Sequence, residues 1–190
     1  MSPNPDGAER TCAYTVRSMK TPLVVLCPGQ GSQTPGMGRA WADASAEAKA
    51  TFELADRIAG DRLGTSLSEL CFEGPAERLN QTDAAQAAIF VTGMACWHGL
   101  VAARGEGPGE SPLAATAGLS LGEYTALCLA GALSFEDGLE LVLLRGRAMQ
   151  DAAEASPGGM LALIGADEHQ AQHVCDRARG HDVLVCANFN

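Results

Sequence analysis

The sequence is poor in aromatic residues, in basic residues and in long apolar runs. Phe, Trp and Tyr make up 5% of the 190 residues, and 13 Lys and Arg against 23 Asp and Glu give a formal net charge of −10. This charge argues against binding to nucleic-acid phosphates or to an anionic membrane surface. We find no apolar run near the ~20 residues of a membrane span, and no apolar stretch of a secretory signal. We therefore expect a cytoplasmic protein without nucleic-acid or membrane partners.

Paired cysteines are also lacking. The seven cysteines are odd in number, scattered, and never spaced as Cys-x-x-Cys. A disulfide framework or a structural zinc site would need closer clustering. We therefore expect reduced thiols and no bound metal.

Apolar segments of strand and helix type alternate along the chain. The predicted strands cover residues 23–26, 113–116, 160–164 and 183–187. The predicted helices cover residues 45–58, 84–104, 121–130, 134–154 and 167–179. A capping box, Ser66 with Glu69, predicts a further short helix. The alternation predicts an α/β fold with a largely parallel sheet.

Two of these segments carry predictions about burial. The first strand is a run of valine and leucine, which predicts a strand buried in the interior. The helix over residues 84–104 is expected to bury a single face. That face is made by Phe90, Met94, Trp97 and Val101.

A Gly-x-Ser-x-Gly motif, Gly118-Leu-Ser-Leu-Gly122, lies between a predicted strand and a predicted helix. In a nucleophile elbow the turn is so tight that small residues must flank the serine, and N–H groups of the helix N-terminus lie beside it. Ser120 is therefore a candidate nucleophile. The alternative is an ordinary glycine-rich junction between a strand and a helix.

The loop over residues 28–38 follows the first strand and contains four glycines and two prolines. It fails as a dinucleotide fingerprint because Thr34 takes the third glycine position, and it fails as a phosphate loop because Met37 stands where lysine is needed. Ligands of open α/β sheets bind at the carboxyl ends of strands. Its backbone N–H groups are therefore candidate oxyanion donors, and the alternative is a structural turn.

Arg145 is the most informative charge. Leu141, Val142, Ala148 and Met149 lie three or four residues away from it, so Arg145 is expected on the apolar face of its helix. A buried guanidinium is costly unless it meets an anion. That anion is either a structural carboxylate elsewhere in the fold or the carboxylate of a substrate, which a guanidinium binds with two hydrogen bonds.

The four histidines supply no evident general base. His169 and His173 have the spacing of a metal pair on one helix, but no third ligand is apparent and Gln170 stands where a zinc-protease helix has glutamate. His98 is expected on the flank of the long helix. A serine nucleophile needs a base within hydrogen-bond reach, and the sequence identifies none.

Five segments occur together in an order that resembles one enzyme family. They are Cys27-Pro-Gly-Gln-Gly-Ser-Gln33, Leu79-Asn-Gln-Thr82 with Gln86-Ala-Ala88, Ala117-Gly-Leu-Ser-Leu-Gly-Glu-Tyr124, Arg145-Gly-Arg-Ala-Met-Gln150 and Asn188-Phe-Asn190. From residue 23 onward the chain resembles the malonyl-CoA:acyl carrier protein transacylases, which load malonyl groups for fatty-acid synthesis.

The resemblance implies a domain organisation. It places an α/β-hydrolase-like large domain over residues 21–158 and the first part of an inserted ferredoxin-like small subdomain over residues 159–190, both incomplete. Residues 1–20 are then an N-terminal extension, which is expected to be disordered. Met19 is a candidate for the true start.

The resemblance also assigns roles. Ser120 resembles the nucleophile that takes malonyl from malonyl-CoA and passes it to the phosphopantetheine thiol of acyl carrier protein. The backbone N–H groups of Gln30 and Leu121 resemble the oxyanion hole, and Arg145 resembles the residue that holds the malonyl carboxylate. Malonyl-CoA and acyl carrier protein are then substrates, and no cofactor is expected.

The main departure from the family concerns the general base. Family members continue beyond the Asn188-Phe-Asn190 segment and supply a catalytic histidine that matches no position here. We therefore expect the 190 residues alone to be inactive and poorly soluble. Two other functions stay open, a non-catalytic remnant that binds acyl-CoA and a serine esterase that does not need Arg145.

Overall fold

The computed structural model describes residues 22–106, 112–156 and 158–189. These residues form two compact units, which divide between Ala155 and Ser156. The N-terminal extension over residues 1–20 lies outside the described part of the chain. The elements of the first unit, in chain order, are β1 (Leu23–Cys27), α1 (Arg39–Ala44), α2 (Ala46–Ala59), α3 (Leu67–Glu73), α4 (Ala76–Leu79), α5 (Thr82–Ala103), β2 (Leu113–Gly118), α6 (Leu121–Leu129) and α7 (Phe135–Ala155). The second unit contains α8 (Glu168–Ala178).

The two strands of the first unit pair in parallel, so the expected mixed α/β fold with a parallel sheet is confirmed. The register aligns Cys27 with Gly118, the last residue of each strand. Because parallel strands point the same way, the loop after β1 and the turn after β2 leave the sheet at one edge. This edge carries both candidate loops of the sequence.

The core of the first unit is built around α5, which packs against α2, α3, α6 and α7. Its first half is buried on every side from Asp83 to Val91. The prediction of a single apolar face is therefore wrong, because this segment contains mainly alanine and large apolar residues around its whole circumference and lies in the centre of the fold.

Helix α5 also corrects the expectation that no segment has the properties of a membrane span. By length and composition, Thr82–Ala103 passes such a test. Most of it is buried among the other helices of the unit. An apolar helix with protein on all sides is what the centre of a globular domain requires.

The prediction that strand β1 is buried is wrong. Val24 is 67% exposed and Leu26 is 76% exposed, whereas Cys27 at the end of the strand is buried. A parallel strand is buried only when elements cover both faces of the sheet. Helix α6 packs against β1 and β2, and no described element covers Val24 and Leu26.

Most helix ends fall where the sequence predicts them. Ser45 caps α2 by accepting a hydrogen bond from the N–H of Ala48 at 3.3 Å, and Gly60 ends that helix. Ser66 likewise caps α3 by accepting from the N–H of Glu69. Only this half of the predicted capping box forms, because the Glu69 carboxylate accepts from the Thr65 hydroxyl instead. The short helices α1 and α4 were not predicted, since neither has enough residues to show helical periodicity.

The second unit contains one of the three elements predicted for it. Helix α8 begins at a full capping box in which Asp167 and Gln170 exchange side-chain and backbone hydrogen bonds. The predicted strands over residues 160–164 and 183–187 are not formed among the described residues. An extended segment becomes a strand only when a neighbouring strand pairs with its backbone, and these segments have no such partner in the described part of the unit.

Candidate active site

Ser120 occupies a strained turn between β2 and α6. Its backbone φ of 55° is the only positive φ of a non-glycine residue in the described ranges, and its side chain is exposed. Such a conformation is costly for a residue with a Cβ atom and is found mainly where function requires it. The Ser120 hydroxyl does not cap α6. The turn therefore presents this hydroxyl away from its own helix.

The two glycines of the motif are required by close backbone contacts. A Cβ atom at Gly118 would lie 2.1 Å from the carbonyl group of Gly122. A Cβ atom at Gly122 would lie 2.2 Å from the carbonyl oxygen of Cys27. No side chain fits at either distance, so the tight strand–turn–helix geometry exists only with glycine at both positions. A tight strand–turn–helix of this kind is the context that a nucleophile elbow needs.

The loop after β1 lies directly beside this turn. The contact of Gly122 with Cys27 joins them at the sheet edge, and a Cβ atom at Gly29 would lie 3.3 Å from the Leu119 carbonyl oxygen. The Gln30 side chain donates to the Thr82 hydroxyl at 3.3 Å, which ties the loop to the start of α5. The structure thus brings the segment of Gln30 next to Ser120, as the sequence expects.

Arg145 reaches Ser120 from α7. Its Nη2 donates a hydrogen bond of 2.8 Å to Ser120 Oγ, and its guanidinium lies 5.7 Å from the centre of the Tyr124 ring. Ser120 Oγ is therefore the acceptor in this pair. The two residues that the sequence singles out, 25 positions apart, are in direct contact.

Gln86 completes the arrangement and was not assigned a role from the sequence. Its Oε1 accepts a hydrogen bond of 2.5 Å from Arg145 Nη1, and its Nε2 donates to the Met149 sulfur at 3.2 Å. The Gln86 side chain is fully buried. The available signal was a single amide within the apolar first half of α5, where a buried polar group needs a partner.

The guanidinium of Arg145 has no carboxylate partner among the described residues. Among the ion pairs of the described residues, Arg78 pairs with Asp83 and Arg147 pairs with Asp151, but none includes Arg145. Burial disfavours the charged form of Asp83, but the hydrogen bonds and charge of Arg78 outweigh it, so the pKa of Asp83 is lowered. The neutral partners of Arg145 position its guanidinium and leave it able to bind an anion.

The surroundings of Arg145 differ from the sequence expectation in one respect. The buried face of α7 is made by Gly138, Leu139, Val142, Leu143 and Gly146. Leu141 and Met149 are each 42% exposed, so the apolar face is not centred on Arg145. Arg145 lies half-buried at the border of that face, because its polar partners Ser120 and Gln86 lie there.

Comparison with known proteins places this geometry in a family. Residues 24–188 match the acyl transferase domain. The chain belongs to the acyl transferase domain family. It is 41% identical over 169 residues to a malonyl-CoA–acyl carrier protein transacylase of Bacillus subtilis, with 88% of this chain and 50% of that protein covered.

Solved structures of the family agree with the fold. The malonyl-CoA:acyl carrier protein transacylase of Xanthomonas oryzae pv. oryzae superposes with a TM-score of 0.71 at 40% identity, over 85% of this chain and 48% of that one. A malonyl transacylase in complex with a type II polyketide acyl carrier protein superposes with a TM-score of 0.69 at 33% identity, over 86% and 50%. The chain spans about half the length of the curated transacylases that it matches.

Acyl transfer by a serine requires a base, and the described hydrogen bonds of Ser120 do not identify one. His98 contacts Thr51 through Nδ1 at 2.7 Å, and burial lowers the pKa of His98. Because the Thr51 hydroxyl donates to the Glu47 carbonyl, His98 Nδ1 is the donor in this pair. His98 is therefore a neutral structural residue of the helical core. The described residues contain no group of three or more His, Cys, Asp and Glu side chains that could hold a metal ion.

Proposed function

We propose that this domain transfers a malonyl group from malonyl-CoA to the phosphopantetheine thiol of acyl carrier protein, by way of a malonyl ester of Ser120. The observation that carries this proposal is the hydrogen bond between Arg145 and Ser120 Oγ, made by a guanidinium without a carboxylate partner among the described residues. A nucleophile with a free cation beside it suits a substrate that carries both a thioester and a carboxylate.

Ser120 is the proposed nucleophile. Its oxygen attacks the thioester carbonyl, the C–S bond breaks, and coenzyme A leaves as a thiol while malonyl remains on the serine. The carrier-protein thiol then attacks this ester and regenerates the Ser120 hydroxyl. Two steps through one covalent intermediate give ping-pong kinetics.

The proposed oxyanion hole consists of the backbone N–H groups of Gln30 and Leu121. Leu121 is the first residue of α6, where N–H groups have no partner within the helix. The close contact between Gly29 and Leu119 brings the Gln30 backbone to the same turn. Donors fixed before the reaction stabilise the negative charge of the tetrahedral intermediate without reorganising.

Arg145 is proposed to bind the malonyl carboxylate with its guanidinium. Two parallel hydrogen bonds to a carboxylate require a planar fork of donors held in one orientation. Gln86 and Tyr124 hold this fork from two sides. On binding, the substrate carboxylate would replace Ser120 Oγ as the acceptor for Nη2, which frees the serine oxygen for attack.

The finer description of the fold belongs to the same proposal. The strand–serine–helix turn supports an α/β-hydrolase-like large domain over residues 21–158. The division of the chain near residue 155 supports a separate subdomain over residues 159–190, which we propose to be ferredoxin-like. We further propose a cytoplasmic location, which fits the scattered cysteines of the sequence, none of which is spaced as Cys-x-x-Cys.

The decisive experiment measures whether a malonyl group becomes covalently attached to the native protein. After incubation with malonyl-CoA, intact-mass spectrometry should show a gain of one malonyl group, and peptide mapping should place it on Ser120. Ser120→Ala should abolish the gain. Addition of carrier protein bearing its phosphopantetheine arm should then discharge the wild-type ester.

Arg145→Ala separates malonyl transfer from general esterase activity. If Arg145 binds the substrate carboxylate, this variant should lose malonyl loading by at least ~100-fold while loading from acetyl-CoA changes much less. Arg147→Ala is the matched control, since Arg147 pairs with Asp151 on the same helix and should leave loading unchanged. Equal loss with both acyl donors would contradict the role of Arg145, and a malonyl gain on any residue other than Ser120 would contradict the function.

A further inference from the structure

The second unit contains two cysteine sulfurs in contact. Cys175 Sγ on α8 and Cys186 Sγ on the segment that follows it are 3.7 Å apart, and both thiols are free. Cys175 is the one buried residue among residues 158–189, and Cys186 is partly buried. The contact between these sulfurs is thus the centre of the small packed region of this unit.

The two sulfurs lie close enough to form a disulfide after a small movement. A disulfide bond is about 2.05 Å long, so the sulfurs need to approach by about 1.7 Å. The residues are 11 positions apart and lie in the same compact unit. Residues 183–189 form no strand in the described part of the unit, so no sheet hydrogen bonds hold Cys186 at its present distance.

Three other described cysteines, Cys27, Cys71 and Cys128, are less suited to disulfide exchange. Burial raises the pKa of Cys71 to about 12, and burial followed by the charge of Asp137 raises the pKa of Cys128 to about 11. Cys27 contacts the Thr116 hydroxyl rather than another thiol. A thiol that stays protonated and has no second sulfur nearby is unreactive in disulfide exchange.

We propose that Cys175 and Cys186 are a redox modification site that forms a reversible disulfide with small-molecule disulfide oxidants. One thiol loses its proton and attacks the oxidant, which releases one small thiol and leaves a mixed disulfide. The second thiol loses its proton and attacks the protein sulfur of that mixed disulfide, which releases the other small thiol. The protein loses two electrons and two protons, and the oxidant is reduced to two thiols.

The disulfide would join α8 covalently to the segment after it. In the described structure, Cys175 is the buried residue of this unit, and Cys186 on the following segment contacts it. Burial, the neighbouring Cys175 thiol and the charges of Asp176 and Glu168 raise the pKa of Cys186. Attack by Cys186 at neutral pH is therefore slow, and the proximity of the second thiol determines the final state.

The test equilibrates the native chain without oxygen in buffers of reduced and oxidised glutathione. Acid quenching, alkylation of remaining thiols and mass spectrometry then count and locate the oxidised cysteines. We expect two alkylation sites to disappear together, the peptides of Cys175 and Cys186 to be joined without bound glutathione, and dithiothreitol to restore both. Half of the Cys175–Cys186 pair should be oxidised at a certain concentration of oxidised glutathione. That concentration should be at least tenfold lower than the one at which half of either cysteine alone forms a mixed disulfide.

Single variants provide the comparison. In Cys175→Ser, Cys186 should retain glutathione as a mixed disulfide, because no second thiol can displace it, and Cys186→Ser should do the same at Cys175. Cys128→Ser is the matched control and should leave the joined peptides unchanged. The proposal is overturned if wild-type Cys175 and Cys186 stay alkylated in the most oxidising buffer, stop at mixed disulfides, or join other cysteines.

Discussion

Two parts of the first unit differ in how far their apolar side chains are buried. In the helical core, Phe52 is 2% exposed and Phe90 is fully buried. In the two-stranded sheet, Val24 and Leu26 are mostly exposed although they are equally apolar. Burial is therefore decided by what packs against a residue and not by its hydrophobicity alone. The core is closed on all sides, whereas the sheet has a face that no described element covers.

The candidate site lies where these two parts meet. The sheet supplies Ser120 through the turn after β2, and the helical core supplies Arg145 and Gln86 from α7 and α5. The position of the guanidinium relative to the hydroxyl thus depends on how α5 and α7 pack. We expect substitutions in the core to affect both stability and the site, and substitutions on the open sheet face to affect neither.

The largest expected effect tests this difference directly. Phe90 is fully buried and stacks on Phe135 with ring centroids 5.7 Å apart. Phe90→Ala should lower the free energy of unfolding by ~3–5 kcal/mol, because it removes apolar contacts and leaves a cavity. Leu26→Ala on the open sheet face should change it by less than ~0.5 kcal/mol. Urea denaturation followed by circular dichroism measures both.

Similar losses for the two variants would show that the Leu26 face is covered in solution. Such a result would contradict the conclusion that the core is covered and that one face of the sheet is exposed. A small loss for Phe90→Ala alone would instead show that α5 repacks around the cavity.

The second prediction concerns the neutral partner of Arg145 and rests on the proposed function. Gln86→Glu places a carboxylate against the guanidinium and should compete with the substrate carboxylate, which raises the KM for malonyl-CoA by ~10–100-fold, equivalent to about 1.4–2.8 kcal/mol. Gln86→Met is similar in size and carries no charge. It should lower kcat for malonyl transfer more than it raises KM, because the guanidinium loses orientation but keeps its charge.

Steady-state kinetics with malonyl-CoA and acetyl-CoA check this prediction. The effect of Gln86→Glu should be confined to the malonyl donor. Identical kinetics for the two Gln86 variants would show that charge compensation at Arg145 is unimportant.

The smallest expected effect is a pH dependence of the free energy of unfolding, caused by His98. Burial lowers the pKa of His98 in the folded chain. As the pH falls below about 6.5, His98 is therefore protonated more readily in the unfolded chain than in the folded chain. The contribution of neutral His98 to the free energy of unfolding is present above that pH and is lost as the pH falls below it. His98 keeps some contact with solvent, so we expect a loss of up to about 1 kcal/mol between pH 7 and pH 5.5.

His98→Gln should remove this pH dependence and keep a hydrogen-bond donor for Thr51. Denaturation curves at pH 7 and pH 5.5 for both proteins measure the difference. An undiminished loss of stability in His98→Gln would assign the pH dependence to other groups.

Local features of the fold were predictable from the sequence, and contacts over long distances were not. Ser45 and Ser66 were identifiable as helix caps because capping depends on a few consecutive residues. The glycines around Ser120 were identifiable for the same reason. The role of Gln86 was missed because its partner Arg145 is 59 residues away. The strands over residues 160–164 and 183–187 were predicted wrongly because pairing requires a neighbour that sequence pattern does not supply.

The sequence by itself determined the family, the order of the helices other than α1 and α4, and the tight turn at Ser120, since each follows from residues close together in the chain or from a set of linked motifs. Only the tertiary structure decided that Arg145 contacts Ser120 and Gln86 without a carboxylate partner among the described residues, and that one face of β1 is open. These properties depend on the packing of separate elements, and packing is settled by the whole fold rather than by any one segment.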